Sequence, residues 1–266
     1  MSVSSHIGEP LGDAMSLAGR TAVIVGACRH VGHEVAHRLA AAGASVVVAN
    51  ADAELAQAGA DAIASPGEAS APVLGTEAAD PRAMREIADR AVAEFGRLDV
   101  WVHVAGARPQ LPEPRRRARD QLSLSTAWGG YLGVRAVALR MSAVAGGVIV
   151  NVAPWPCCGA RSEDAALCLT SDRGLAGLTT RMAVEFEPFG VRVFGIVPST
   201  TDGSALDRLA PGCCQAAAGD LVESVVVRLP LGSGEGPDDV AGAVLFCASD
   251  LSMFMSGSTL LVPALT

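Results

Sequence analysis

The chain contains no lysine; all 20 of its basic residues are arginine. Any mechanism that needs a Lys Schiff base, a Walker-type Lys or a Tyr-Lys pair is therefore excluded. Tyrosine is nearly absent as well, with Tyr131 the single example, and all aromatics together make up 4%. Charge is sparse at 18% and the balance is acidic, with a net charge of -8. A nucleic-acid binder would show a basic surface, and this composition excludes one. The seven cysteines show no C-x-x-C spacing, so neither a disulfide framework nor a zinc ribbon is indicated. Free thiols in a reducing cytoplasm are the expectation, with no metal site. No apolar stretch reaches the roughly 18 uninterrupted residues of a membrane helix. What the chain has instead is Ala, Gly and Val, in a sequence that is 50% hydrophobic. That is enough apolar material for a large core, and it suits buried parallel strands under Ala-rich helices.

The order of the segments gives the fold class. Residues 1–18 lack periodicity and read as a flexible leader. From Gly19 onward, short β-branched runs alternate with longer periodic ones. Strands are expected at Thr21–Val25, Ser45–Ala49, Pro72–Leu74, Asp99–Val104, Val148–Val152, Val191–Val197 and Thr259–Val262. Helices are expected at Val31–Ala42, Asp52–Ala64, Asp80–Phe95, Ser123–Ala143, Glu163–Glu187 and Pro237–Ser249. Asp80 is placed at the N-cap of the third helix, and Pro81 at its first position. The unbroken rhythm predicts one α/β domain over residues 19–266. It is Rossmann-type and doubly wound, with a mainly parallel seven-stranded sheet and helices on both faces. In such sheets ligands bind beyond the carboxyl ends of the strands.

The first strand runs into Gly26-Ala27-Cys28-Arg29-His30-Val31-Gly32 and then a helix. A strand, a Gly-rich turn and a helix N-terminus form a pyrophosphate site, because free N–H groups and the helix dipole face the anion. Several segments together resemble the short-chain dehydrogenase/reductase family, in particular its acyl-carrier-protein ketoreductase-like branch. Val25 to Gly32 looks like that family's Thr-Gly-x-x-x-Gly-x-Gly. Phe95-Gly96-Arg97-Leu98-Asp99-Val100, followed by Ala105-Gly106, looks like its Asn-Asn-Ala-Gly region. Gly177-Leu178-Thr179 through Gly190-Val191-Arg192-Val193 looks like the segment after its active site. Arg228-Leu229-Pro230-Leu231-Gly232, Pro237-Asp238-Asp239-Val240-Ala241 and Phe246-Cys247-Ala248-Ser249-Asp250 look like its C-terminal signature.

The resemblance also shows what has been replaced. Counting back from Gly177-Leu178-Thr179 puts Cys168 at the family's catalytic Tyr and Asp172 at its Lys. Ala153-Pro154 stands where the catalytic Ser should be, and Thr126 where the Asn of the long helix should be. Asp reverses the field that the Lys supplies. At about 4 Å and an effective dielectric of 20, a unit-charge interaction is worth about 4 kcal/mol. Cys168 beside Asp172 is then expected to stay a neutral thiol, a weak acid and a weak nucleophile. His30 replaces a glycine whose lack of a side chain admits the pyrophosphate, and Asn50 replaces the acidic residue that holds the ribose 2′-OH. Asn50 with Arg29 suits a 2′-phosphate, so NADP(H) is the favoured dinucleotide if one binds. The remaining cofactor positions carried over are Gly26, Gly32, Ala105, Gly106 and Pro198.

His103 stands where the family has Asn, and His titrates near neutral pH, so it is the candidate for a substitute acid or base. Filling of space left by an absent cofactor is the competing reading. Cys157-Cys158 and Cys213-Cys214 flank the expected substrate mouth, with incidental thiols as their default. The Arg115–Arg119 run could receive an acidic carrier protein, or be a solvated helix face.

Three functions follow as expectations. The first is an accessory subunit without reductase chemistry, paired with an active homologue. The second is a repurposed cyclase, isomerase or dehydratase of specialised metabolism, acting on a small or carrier-bound substrate. The third is an NADP(H)-dependent carbonyl reductase with a different proton donor, such as His103 or water. The resemblance implies a homo- or hetero-oligomer built on the long helices, where Gly129, Gly130, Gly133, Gly174 and Gly177 permit close packing. No nucleic-acid or membrane partner is expected, and the cytoplasm is the expected location.

Overall fold

A computed structural model describes residues 11–26, 31–50, 53–63, 73–75, 81–104, 133–141, 146–153, 162–199, 227–228 and 237–263. The strands are β1 Thr21–Gly26, β2 Ser45–Asn50, β3 Val73–Gly75, β4 Val100–Val104, β5 Gly147–Val152, β6 Val191–Ser199, β7 Val227–Arg228 and β8 Thr259–Pro263. The helices are α1 Leu11–Ala14, α2 Val31–Ala41, α3 Ala53–Ile63, α4 Pro81–Phe95, α5 over 133–141, α6 Ser162–Phe186 and α7 Pro237–Ala248. Asp80 and the first ten positions of the expected Ser123–Ala143 helix lie outside the described residues.

The strands form one parallel sheet in the order β3-β2-β1-β4-β5-β6-β8-β7. The chain winds outward from β1 in both directions, so the order reverses between β1 and β4. That gap is the switch point of a doubly wound sheet. The expected seven strands become eight among the described residues, because Val227–Arg228 pairs with Leu260 and Leu261 at the edge. Two residues are too short to carry a period, so the sequence held no sign of this strand.

Period-2 alternation splits the core into two layers. Ala22, Ile24, Val102, Val150 and Ile196 pack with α2 and α7 on one face. Val23, Val25, Trp101, Ile149 and Val193 pack with α4, α5 and α6 on the other. Helix α4 shows why a helix forms there: Met84, Ile87, Ala88 and Ala91 recur at helical spacing and all are buried. Gly133 at the start of α5 lies against Met84, whose Sδ would be 1.9 Å from an added Cβ. This corrects the expectation that Gly133 serves contacts between subunits. Added Cβ atoms at Gly174 and Gly177 would meet nothing within 4 Å.

Residues 11–18 join the folded body. Leu17 is fully buried in the first layer, and its N–H donates to the Ala42 carbonyl at 2.8 Å. The packed part thus begins ahead of Gly19, while residues 1–10 lie outside the described residues. At the opposite end, Arg20 and Arg192 tie down the end of α7. Arg20 bonds Asp250 at 2.5 Å and the Ala248 carbonyl at 3.3 Å. Arg192 donates to Ser252 Oγ and the Ser249 carbonyl, with its guanidinium 5.8 Å above the Phe194 ring.

Candidate functional site

All parallel strands place their carboxyl ends on one edge. Gly26, Asn50, Val104, Ala153 and Pro198 lie along it. Gly26 ends β1 with φ at +118°, where an L side chain is strained. An ideal Cβ there would lie 1.8 Å from the Val104 carbonyl oxygen. Only glycine lets β1 turn away so close to the end of β4. The Asn50 side chain donates from Nδ2 to the Gly26 carbonyl at 2.7 Å, bracing the end of β2 against β1. Helix α2 opens at Val31, five residues after Gly26, with Gly32 buried in its first turn. Gly26 and the start of α2 lie at the switch point, where this fold class binds a dinucleotide, and the turn between them lies outside the described residues. The group at the end of β2 is a neutral carboxamide, where the family pattern has a carboxylate.

His103 sits one residue before the end of β4, on the α6 side of the sheet, and burial pushes its imidazole down to about 4. It is therefore neutral at pH 7 and has no cationic proton to give. Its register neighbours are Val25 in β1 and Asn151 in β5. The row continues through Gly195 in β6 to Thr259 in β8. Asn151 is buried, and its Nδ2 has a long contact of 3.8 Å to Met182 Sδ of α6. Sequence reasoning passed over Asn151, Gly195, Thr179 and Thr259. The visible signal was one polar residue inside the apolar run Val148–Val152, but what it faces depends on register.

Cys168 and Asp172 both fall on the unbroken helix α6, one turn apart, and their side chains lie outside the described residues. Arg29, His30, Ala105, Gly106, Thr126, Pro154, Cys157, Cys158, Cys213, Cys214 and the Arg115–Arg119 run also lie outside them. Pro198 is buried in β6, in register with Val262. Cys247 is a free, buried thiol in α7, and burial pushes it up to about 12. Among the described residues, no group of three His, Cys, Asp or Glu could hold a metal ion, and no helix is long and apolar enough to cross a membrane.

A doubly wound parallel sheet with a glycine cradle at its switch point defines the class: a Rossmann-type dinucleotide-binding oxidoreductase fold. Comparison with known proteins makes this specific. A family model described as enoyl-(acyl carrier protein) reductase matches residues 26–264. D-threitol dehydrogenase of Mycolicibacterium smegmatis is 30% identical over 249 residues, covering 92% of each chain. L-rhamnose 1-dehydrogenase (NAD(P)(+)) of Azotobacter vinelandii is 31% identical over 261 residues, covering 93% of this chain and 96% of that one. A short-chain type dehydrogenase/reductase from Mycobacterium marinum superposes with a TM-score of 0.71 at 28% identity, covering 96% and 98%. The chain belongs to the short-chain dehydrogenase/reductase family, an oxidoreductase family whose members bind NAD(P)(H) and are commonly oligomeric.

Proposed function

We propose that this chain is a family member that does not carry out carbonyl reduction by the Ser-Tyr-Lys route, and that it serves as an accessory subunit beside an active homologue. One observation carries the reading: the chain has no lysine, and its single tyrosine, Tyr131, is not on α6. The positions one turn apart on that helix are Cys168 and Asp172 instead. A thiol and a carboxylate one helical turn apart in the sequence cannot reproduce a phenol acidified by a cation. A positioned general acid typically contributes 10²–10⁴ in rate, and its loss takes the family's ordinary turnover with it.

If a dinucleotide binds, the Gly26–Gly32 turn and Asn50 would hold it, and it would supply hydride chemistry. Asn50 carries no charge to repel a 2′-phosphate, which favours NADP(H). His30 stands in the sequence where the family pattern has a glycine, and a side chain at that position would weaken binding of both forms. The named relatives support a second reading. They are dehydrogenases, one of them named for NAD(P)(+), and similar substrates would make this chain a reductase with another proton donor. A neutral His103 leaves water as the donor in that case.

Titration with NADPH and NADH, a turnover assay and affinity capture from the native host separate the readings. The accessory reading expects no NADPH oxidation with ketone or β-ketoacyl substrates, and capture of an intact short-chain reductase. NADPH turnover at about 1 s⁻¹ or faster would overturn it. So would an NAD(H) dissociation constant of about 1–10 μM with no homologue captured.

A further inference from the structure

We propose that the protein binds one ordered water molecule between α6 and the sheet, bridging the hydroxyls of Thr179 and Thr259 over Gly195. Thr179 is completely buried and Thr259 is 7% exposed. Neither Oγ1 has a hydrogen-bond partner among the described residues. The two hydroxyls come from different elements and converge on Gly195. The ideal Cβ position on Gly195 lies 2.8 Å from Thr259 Oγ1 and 2.9 Å from Thr179 Oγ1. Glycine in the middle of a strand marks a close approach, and here it keeps that space free of a methyl group. A buried hydroxyl without a partner is a standing cost, and a polar site with two or more convergent groups is where buried water is found.

The chemistry limits the occupant. Both hydroxyls donate and accept, which suits a neutral molecule that does both. An added methyl group would lie within 3 Å of both oxygens, so the occupant must be small, and water is the smallest molecule that both donates and accepts. Asn151, next to Gly195 in the register, adds a third polar neighbour to the row.

The water would complete a clamp on the helix that carries Cys168 and Asp172. Thr180 Oγ1 already bonds the Gly257 carbonyl directly at 3.2 Å. Thr179, the adjacent residue, reaches Thr259 through the water. Two consecutive threonines thus fasten α6 to the segment that opens β8, one directly and one through solvent. This assignment does not rest on the accessory reading.

Thr179→Val and Thr259→Val, alone and together, test it, because Val keeps the shape and removes the hydroxyl. With a bridging water, each single variant lowers the melting midpoint by about 2–4 °C. The double variant then melts close to the worse single, since the second change removes an already broken bridge. If the hydroxyls are dry, each Val removes an unpaired polar group, and the midpoint stays level or rises, which overturns the proposal. A high-resolution crystal structure of the unmodified protein gives the second readout. A water within hydrogen-bond distance of both oxygens is expected. Hydroxyls satisfied by backbone carbonyls, with no such water, would overturn the proposal whatever the variants do.

Discussion

The half-buried imidazole of His103 predicts a specific acid sensitivity. In the unfolded chain His103 titrates near 6.5, and in the folded protein near 4, because burial disfavours the cation. Between those values the unfolded state binds the proton more strongly than the folded one. Stability therefore falls as pH drops from about 6.5 to about 4, and is unaffected by this group above that window. Each pKa unit is worth 1.36 kcal/mol, so the full loss is about 3 kcal/mol. For a chain of this length that corresponds to a fall in melting midpoint of roughly 10 °C. Carboxylates also titrate near the lower end of this range, so the readout is a difference. Urea unfolding from pH 4 to pH 7.5 should show a steep slope for the unmodified protein and a flatter one for His103→Gln. The other described histidines, His33 and His37, are common to both proteins and cancel. Parallel slopes for the two proteins would refute the reasoning. So would an NMR titration placing the folded imidazole above about 6.

Gly26→Ala forces a methyl group onto the Val104 carbonyl at a positive φ. It should cost more than about 4 kcal/mol, read as loss of soluble protein or a collapsed denaturation midpoint. Asp250→Ala leaves Arg20 with only its Ala248 carbonyl bond and loosens the end of α7, with an expected loss of about 0.5–1 kcal/mol in urea unfolding, given the partial exposure of the pair. Leu139 on α5 and Val184 on α6 expose 53% and 62% of their surface. Val184→Glu should shift the protein to a smaller species in light scattering if these helices build the oligomer. A monomer in both proteins, with and without a partner homologue, would refute that interface.

The sequence by itself determined the parallel, doubly wound fold and the long elements that fall among the described residues, because buried strands and amphipathic helices write their periods locally. Gly26 was legible as the turn after β1, and the missing lysine as the absence of any Tyr-Lys pair. Tertiary structure alone decided what lies across from what. Asn50 reads as a ribose-side residue, yet its amide also braces the Gly26 carbonyl 24 positions away. His103 reads as a group titrating near neutrality, and partial burial at the end of β4 lowers it to about 4. His103, Asn151, Gly195 and Thr259 are far apart in the chain and form one row only through strand register. Register and burial are set by long-range packing, so no local pattern announces them.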